Sequence, residues 1–190
     1  MRRTWIVAVA VISLAFAAAA AMTDEDRALQ KGRSAAYEMS EIVREKLQDS
    51  MDSSGPAGAM KVCAYQARAL ADEVSARHGV TARRTSLRLR NPRNAPDPYE
   101  KELLARLQEQ FLAGTMPEDV FEASEADGRR GYRYTKPLKI VPACLPCHGG
   151  PQEIPGEVRE LLEERYPGDQ ATGYRAGELR GIVSVFIPAE

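Results

Sequence analysis

The sequence predicts an α+β fold, with a long N-terminal helix and a small antiparallel sheet that is flanked by helices. Apolar residues recur at helical spacing in the first half of the chain, whereas hairpin and strand signals are concentrated in the second half. The chain has 190 residues, of which 44% are hydrophobic and 28% are charged. That length and composition suit one globular domain with its own core. We expect this domain to span residues 22–190.

The first 21 residues have the composition of a secretory signal peptide. Arg2 and Arg3 supply the positive start, residues 5–16 are almost entirely apolar, and residues 17–21 are all alanine. The alternative is an uncleaved membrane anchor through residues 5–22, which carry no charge and are just long enough to cross a bilayer. Either interpretation places the rest of the chain outside the cytoplasm. We therefore predict a periplasmic protein, soluble or anchored by its N-terminal segment.

Two helices are predicted at the start of the domain. Thr23 is a suitable N-cap, acids fill the next turn, and apolar residues follow at helical spacing over about 24–48. The Ser-Ser-Gly-Pro run at 53–56 predicts the end of this helix. A second helix continues to about Arg77. Cys63 lies on its apolar face and is therefore expected to point inward.

A third helix and the sheet follow. Residues 83–98 are rich in arginine and proline, which predicts an extended connection. Asp97 is then a suitable cap for the third helix. The Asp-Gly pair at 127–128 lies between two aromatic-containing segments and predicts a hairpin. A short helix is expected near 157–166, and a β-branched run predicts a terminal strand over 181–187.

The charge balance argues against nucleic acid as a partner. The net charge is −1, and removal of residues 1–21 deletes two arginines and no acid, which leaves 24 basic against 27 acidic residues, or −3. Nucleic-acid binding depends on an excess of basic side chains, and binding to anionic lipid depends on a basic cluster. We predict neither.

The run Cys144-Leu145-Pro146-Cys147-His148 has the spacing of a covalent haem attachment site. The two thiols are spaced to reach the two vinyl groups of one porphyrin, and the adjoining imidazole then lies beneath the iron. We therefore predict one haem c, linked through Cys144 and Cys147, with His148 as an axial ligand.

This run has three alternative interpretations besides a haem site. A thioredoxin-like dithiol requires a helix after the first cysteine and a βαβ context, but Gly149-Gly150-Pro151 follows immediately. A structural zinc site would need Cys63, Cys144, Cys147 and His148 together. A plain disulfide between Cys144 and Cys147 is the third. The zinc site does not explain why the histidine adjoins the second cysteine.

The second axial position has several candidates, namely Cys63, His78, Met60 and Met116. His78 is at a predicted helix end, where histidines commonly interact with the last carbonyls. Methionines are commonly core residues. Cys63 is the odd cysteine in an oxidising compartment, where an unpaired thiol needs an explanation. The haem propionates require polar or cationic partners, and the local supply is Arg84, Arg88, Arg90 and Arg93.

The chain resembles a family of exported c-type haem domains of unknown function. The resemblance covers most of the mature chain and rests on Val62-Cys63, the run from Arg90 to Asp97, and Tyr134-Thr135-Lys136-Pro137 ahead of the haem motif. Thr172-Gly173-Tyr174 and the run from Gly177 to Gly181 complete it. The resemblance implies a PAS-like fold and a His/Cys-ligated iron, with Cys63 as the second axial ligand.

Together these features predict a mono-haem c-type protein that responds to redox state or a small ligand by exchange of Cys63. A simple electron-transfer cytochrome c is the alternative. We do not expect an enzyme, because turnover would need an open iron and a distal acid or base. The redox or signalling partner is not predicted by the sequence.

Overall fold

Five α-helices and four β-strands make up the part of the chain that the computed structural model describes, residues 22–189. The helices are α1 (Asp24–Tyr65), α2 (Ala67–His78), α3 (Pro98–Leu112), α4 (Leu145–His148) and α5 (Gly156–Arg165). The strands are β1 (Thr81–Thr85), β2 (Val120–Ala126), β3 (Arg129–Lys139) and β4 (Leu179–Pro188), and 3-10 turns span Pro92–Asn94 and Pro142–Cys144.

The four strands form one antiparallel sheet in the order β1-β4-β3-β2. From Ile182 onward, alternate residues of β4 serve the two faces of the sheet, and a register shift near Gly181 places Leu179 on the same face as Ile182. Val183, Val185 and Ile187 pack with α1 and α2, whereas Leu179 and Ile182 pack with the leucines of α3. The sheet therefore has helices on both faces, and the predicted α+β class with a long N-terminal helix is confirmed.

Helix α1 begins as predicted but does not end as predicted. The Thr23 hydroxyl accepts a hydrogen bond from the Asp26 amide, and the Asp26 carboxylate accepts one from the Thr23 backbone N–H, which together make a capping box. The predicted end at 53–56 is wrong, because the helix resumes after a kink at Gly55 (φ 66°, ψ −168°). Pro56 follows the kink, where a proline begins a new helical segment without losing a hydrogen bond. The second break comes at Gln66, and α2 follows.

The prediction of an extended connection from residue 83 missed strand β1. Thr81–Thr85 pairs with β4, with Arg84 opposite Val183. The third helix, the hairpin at 127–128, the short helix α5 and the terminal strand are confirmed. Asp97 caps α3 and exchanges hydrogen bonds with Glu100.

A buried ion cluster lies on the α3 face of the sheet. Arg133 on β3 is 3% exposed and Glu100 on α3 is 0% exposed. Arg133 Nη1 lies 2.8 Å from Asp97 Oδ2 and 3.2 Å from Glu100 Oε1, and donates to Ser184 Oγ at 3.3 Å. Arg83 Nη1 is 3.6 Å from the other Glu100 oxygen. This cluster ties α3 to three strands.

The predicted leader, residues 1–21, lies outside the described residues. Within residues 22–189, no helix combines the length and the apolar character that crossing a bilayer requires.

Candidate functional site

A cavity of about 370 Å³ opens on the α1 and α2 face of the sheet, beside the edge strand β1. This volume is in the range of cofactor and ligand pockets. Its walls come from the end of α1, from α2, from β1 and the loop after it, and from His148. Apolar side chains alternate with arginines around it. The apolar set includes Met39, Ala64, Ala71, Leu89 and Leu138.

His148 lies at the end of the short helix α4 and lines this cavity. Its Nδ1 is 2.7 Å from the carbonyl oxygen of Ala171, so Nδ1 carries the proton and donates it to that oxygen. The same loop is held by the Tyr174 amide, which donates to the His148 carbonyl at 2.9 Å. Nε2 is then the unprotonated nitrogen, which is the form that binds a metal.

The electrostatic surroundings of His148 favour the neutral ring. Burial lowers the pKa of His148 well below its ordinary value, and the nearby cations Arg90, Arg180 and Arg84 lower it further. The hydrogen bond to Ala171 opposes this shift only in part. A neutral imidazole with a fixed tautomer therefore faces the cavity at physiological pH.

Cys144 is the N-cap of the same short helix and Cys147 lies within it, but both are outside the lining of the cavity. Both are half-buried free thiols. Cys144 packs with Ile140, Ala171 and Tyr174, whereas Cys147 packs in the group formed by α5 and Met60. Burial raises the pKa of Cys147 to about 11, with a smaller contribution from Cys63. Cys147 is therefore a neutral thiol at pH 7.

Of the four candidates for the second axial position, Cys63 alone lines the cavity with His148. It is half-buried in the last turn of α1. His78 instead pairs with Glu38. Met60 is buried against α5, and Met116 packs beside the leucines of α3.

The four predicted arginines all line the cavity, but they have different partners. The side chains of Arg84 and Arg93 make no hydrogen bond or ion pair within residues 22–189. Arg88 donates from Nε to the Gln170 carbonyl at 3.0 Å and from Nη2 to the Thr172 carbonyl, and it lies 3.9 Å above the Tyr174 ring. Arg90 is buried, and all three of its guanidinium nitrogens have partners in the protein.

Sequence reasoning missed other residues of the site. Arg68, Arg83 and Arg180 also line the cavity, and Arg180 donates to the Arg88 carbonyl at 3.2 Å. Asp169 is the partner of Arg90, and Ala171 supplies the carbonyl that binds His148. Arg180 lies in the run from Gly177 to Gly181, which is part of the family resemblance, and that resemblance could have identified it as a site residue. A backbone carbonyl gives no signal of this kind.

The predicted competitors of a haem site find no support in this geometry. No group of three or more histidine, cysteine, aspartate or glutamate side chains is placed to hold a metal ion in the part of the chain that the structure describes. The strands of the sheet are antiparallel, unlike those of a βαβ unit. Cys144 and Cys147 are both free.

The donor set does fit a haem. One cavity receives an imidazole with a free Nε2 and a thiol from a separate helix, and these are the two ligands a hexacoordinate haem iron needs. Apolar side chains are available for the macrocycle, and the guanidinium groups of Arg84 and Arg93 are available for two propionates.

Comparison with known proteins gave two matches. A family model described as Tll0287-like matches residues 21–188. A solved structure titled as the crystal structure of the cyanobacterial heme-protein Tll0287 is 26% identical, with a TM-score of 0.56, and the match covers 78% of this chain and 92% of that one. No curated protein matches the chain.

Proposed function

The chain belongs to the Tll0287-like family, and on that premise we propose that it is an exported haem protein whose single c-type haem is ligated by His148 and Cys63. A relative in this family is a heme-protein by its title. The observation that carries the proposal is the meeting of Cys63 and His148 in one cavity, although they come from distant parts of the chain.

Haem, when bound, supplies an iron that changes oxidation state. His148 presents Nε2 to it because the Ala171 carbonyl fixes the proton on Nδ1. Cys63 supplies a thiolate, which stabilises the ferric state and lowers the reduction potential. Cys144 and Cys147 hold the porphyrin by thioether bonds. Arg84 and Arg93 bind the propionates, and Arg88 contributes through Nη1.

We further propose that the protein responds to redox state or a small ligand through release of Cys63. The two ligand positions are unequally held. His148 is fixed by hydrogen bonds at its ring and at its backbone carbonyl, whereas the Cys63 side chain has no hydrogen bond within residues 22–189. With haem bound and reduced, Cys63 would be the ligand that is released and His148 the ligand that is kept.

Optical spectra of the purified ferric and ferrous protein test this proposal. Cys63→Ala removes the thiolate signature from the ferric spectrum, whereas Met116→Leu and His78→Gln, at two other candidate positions, leave it unchanged. An unchanged ferric spectrum in Cys63→Ala would exclude Cys63 as a ligand. Carbon monoxide binding by the ferrous protein is expected, and retention of both ligands after reduction would instead favour the electron carrier.

The covalent link is tested separately. Haem should remain with the polypeptide after acid denaturation and extraction with organic solvent, and Cys144→Ala/Cys147→Ala should release it. Release from the wild-type protein would refute a c-type centre. Steady peroxide turnover by the holoprotein would refute our proposal that it is not an enzyme.

A further inference from the structure

Arg90 occupies an unusual position between the two proposed iron ligands. It is 8% exposed, and its Nε lies 3.0 Å from Asp169 Oδ2, which is equally buried. Its Nη2 donates to the Cys147 carbonyl and, at 3.4 Å, to the Ala171 carbonyl. Arg90 was predicted as a propionate partner, but this geometry directs its donors into the protein.

The Ala171 carbonyl is the acceptor for the His148 ring. Arg90 contacts this carbonyl directly, and Asp169 holds the same residue from the other side, because Asp169 Oδ1 accepts from the Ala171 amide at 2.7 Å. One ion pair therefore fixes both the amide and the carbonyl of Ala171. The orientation of the imidazole depends on the position of that carbonyl.

Arg90 also contacts the helix that carries Cys63. Its Nη1 lies 3.6 Å from the sulfur of Met60, which is 1% exposed and three residues before Cys63 on α1. Residues three apart on a helix share a side, so Met60 and Cys63 belong to the same turn. The guanidinium group thus links the turn of Cys63 to the loop that orients His148.

We propose that Arg90, anchored by Asp169, is a positioning residue for both axial ligands of the haem. This inference rests on the proposed function, since it concerns the same iron site. The planar fork of arginine is required, because three nitrogens must reach a carboxylate, two carbonyls and a thioether at once. Lysine keeps the charge but has one nitrogen and cannot make these contacts together.

Displacement of Cys63 by imidazole tests the proposal. Ferric holoproteins of wild type, Arg90→Lys and Asp169→Asn are titrated with imidazole, and loss of the thiolate signature is measured. Partners of metal ligands typically contribute about 10- to 100-fold to metal-site properties, so we expect the half-displacing concentration to fall about tenfold or more in Arg90→Lys. Arg106→Lys, at an exposed arginine of α3 that pairs with Glu122 away from the cavity, is the matched control and should match wild type.

Asp169→Asn keeps the acceptor for the Ala171 amide but loses the charge that holds Arg90, so it decides the question if Arg90→Lys does not fold. A lower urea midpoint with unchanged imidazole displacement in both variants would show a merely structural role and overturn the proposal. A wild-type protein without thiolate ligation would refute the proposed function itself. Normal wild-type ligation with unaltered variants would refute this inference alone.

Discussion

Removal of the buried cation on the α3 face should cost a large part of the protein's stability and leave the haem site unchanged. Arg133→Met leaves Glu100, which is 0% exposed, with Arg83 at 3.6 Å as its nearest remaining cation. Breaking a buried ion pair from one side costs about 3–5 kcal/mol. We take about 3 kcal/mol, because Arg83 compensates in part and Asp97 is nearer to solvent. That is a substantial share of a typical domain stability of about 5–15 kcal/mol.

Urea unfolding followed by circular dichroism measures this loss. With a denaturant slope of about 2 kcal/mol per M, the midpoint should fall by about 1.5 M. The double variant Arg133→Met/Glu100→Gln removes the buried negative charge as well and should recover part of the loss. A midpoint shift of less than about 0.5 M in the single variant would refute the reasoning. So would a changed haem spectrum, because Arg133 lies on the opposite face of the sheet from Cys63.

Three other variants or conditions test the fold and the site. Gly131→Ala places a Cβ 2.1 Å from the Ile187 carbonyl oxygen and should destabilise the protein by about 3 kcal/mol, whereas Gly156→Ala, with open space, should not destabilise it. Gly79→Ala forces alanine into the left-handed region at φ 60° and should raise the free energy of the folded state by about 1 kcal/mol, read from the urea midpoint. In haem-free protein, His148 binds a proton less readily in the folded state than in the unfolded state, because its pKa is lowered. Its contribution to the free energy of unfolding is therefore fully present above about pH 6.5 and falls by up to about 1.4 kcal/mol per pH unit below that pH. His148→Gln should flatten that slope, and an equal slope in both proteins would contradict the assignment.

Local sequence signals predicted the elements that local chemistry determines. Thr23 and Asp97 cap their helices as expected, because a capping side chain acts on amides within the next turn. The Asp-Gly pair at 127–128 has two positive φ angles, which is the geometry that makes it a hairpin signal.

Features that depend on distant partners were missed. β1 carries two arginines and a weak alternation, and it becomes a strand because β4 pairs with it. The Gly55-Pro56 pair predicts a helix end. In the structure the helix resumes after it, because the turns of α1 after Pro56 pack on α5. A breaker residue indicates where the backbone departs from helix. Tertiary contacts decide whether the helix continues.

The candidate site was predictable in its chemistry and only partly in its arrangement. Cys144, Cys147 and His148 lie within five consecutive residues, so the sequence alone shows their spacing. Entry of Cys63 into the same cavity depends on how α1 crosses the sheet, which no local pattern reports. The family resemblance predicted Cys63 as the second axial ligand, whereas the residues alone left four candidates open.

The two residues proposed as axial ligands are held unequally in the structure. Cys63 lies between the kink at Gly55 and the second break at Gln66, and its side chain makes no hydrogen bond within residues 22–189. His148 is followed by Gly149 and Gly150, but its ring is tied to the loop at Ala171 by a hydrogen bond. An iron centre that releases one ligand and keeps the other needs one firmly held and one loosely held ligand. If both were held equally, the iron would keep both ligands or lose both. We propose on this inequality that the haem is responsive rather than a passive carrier.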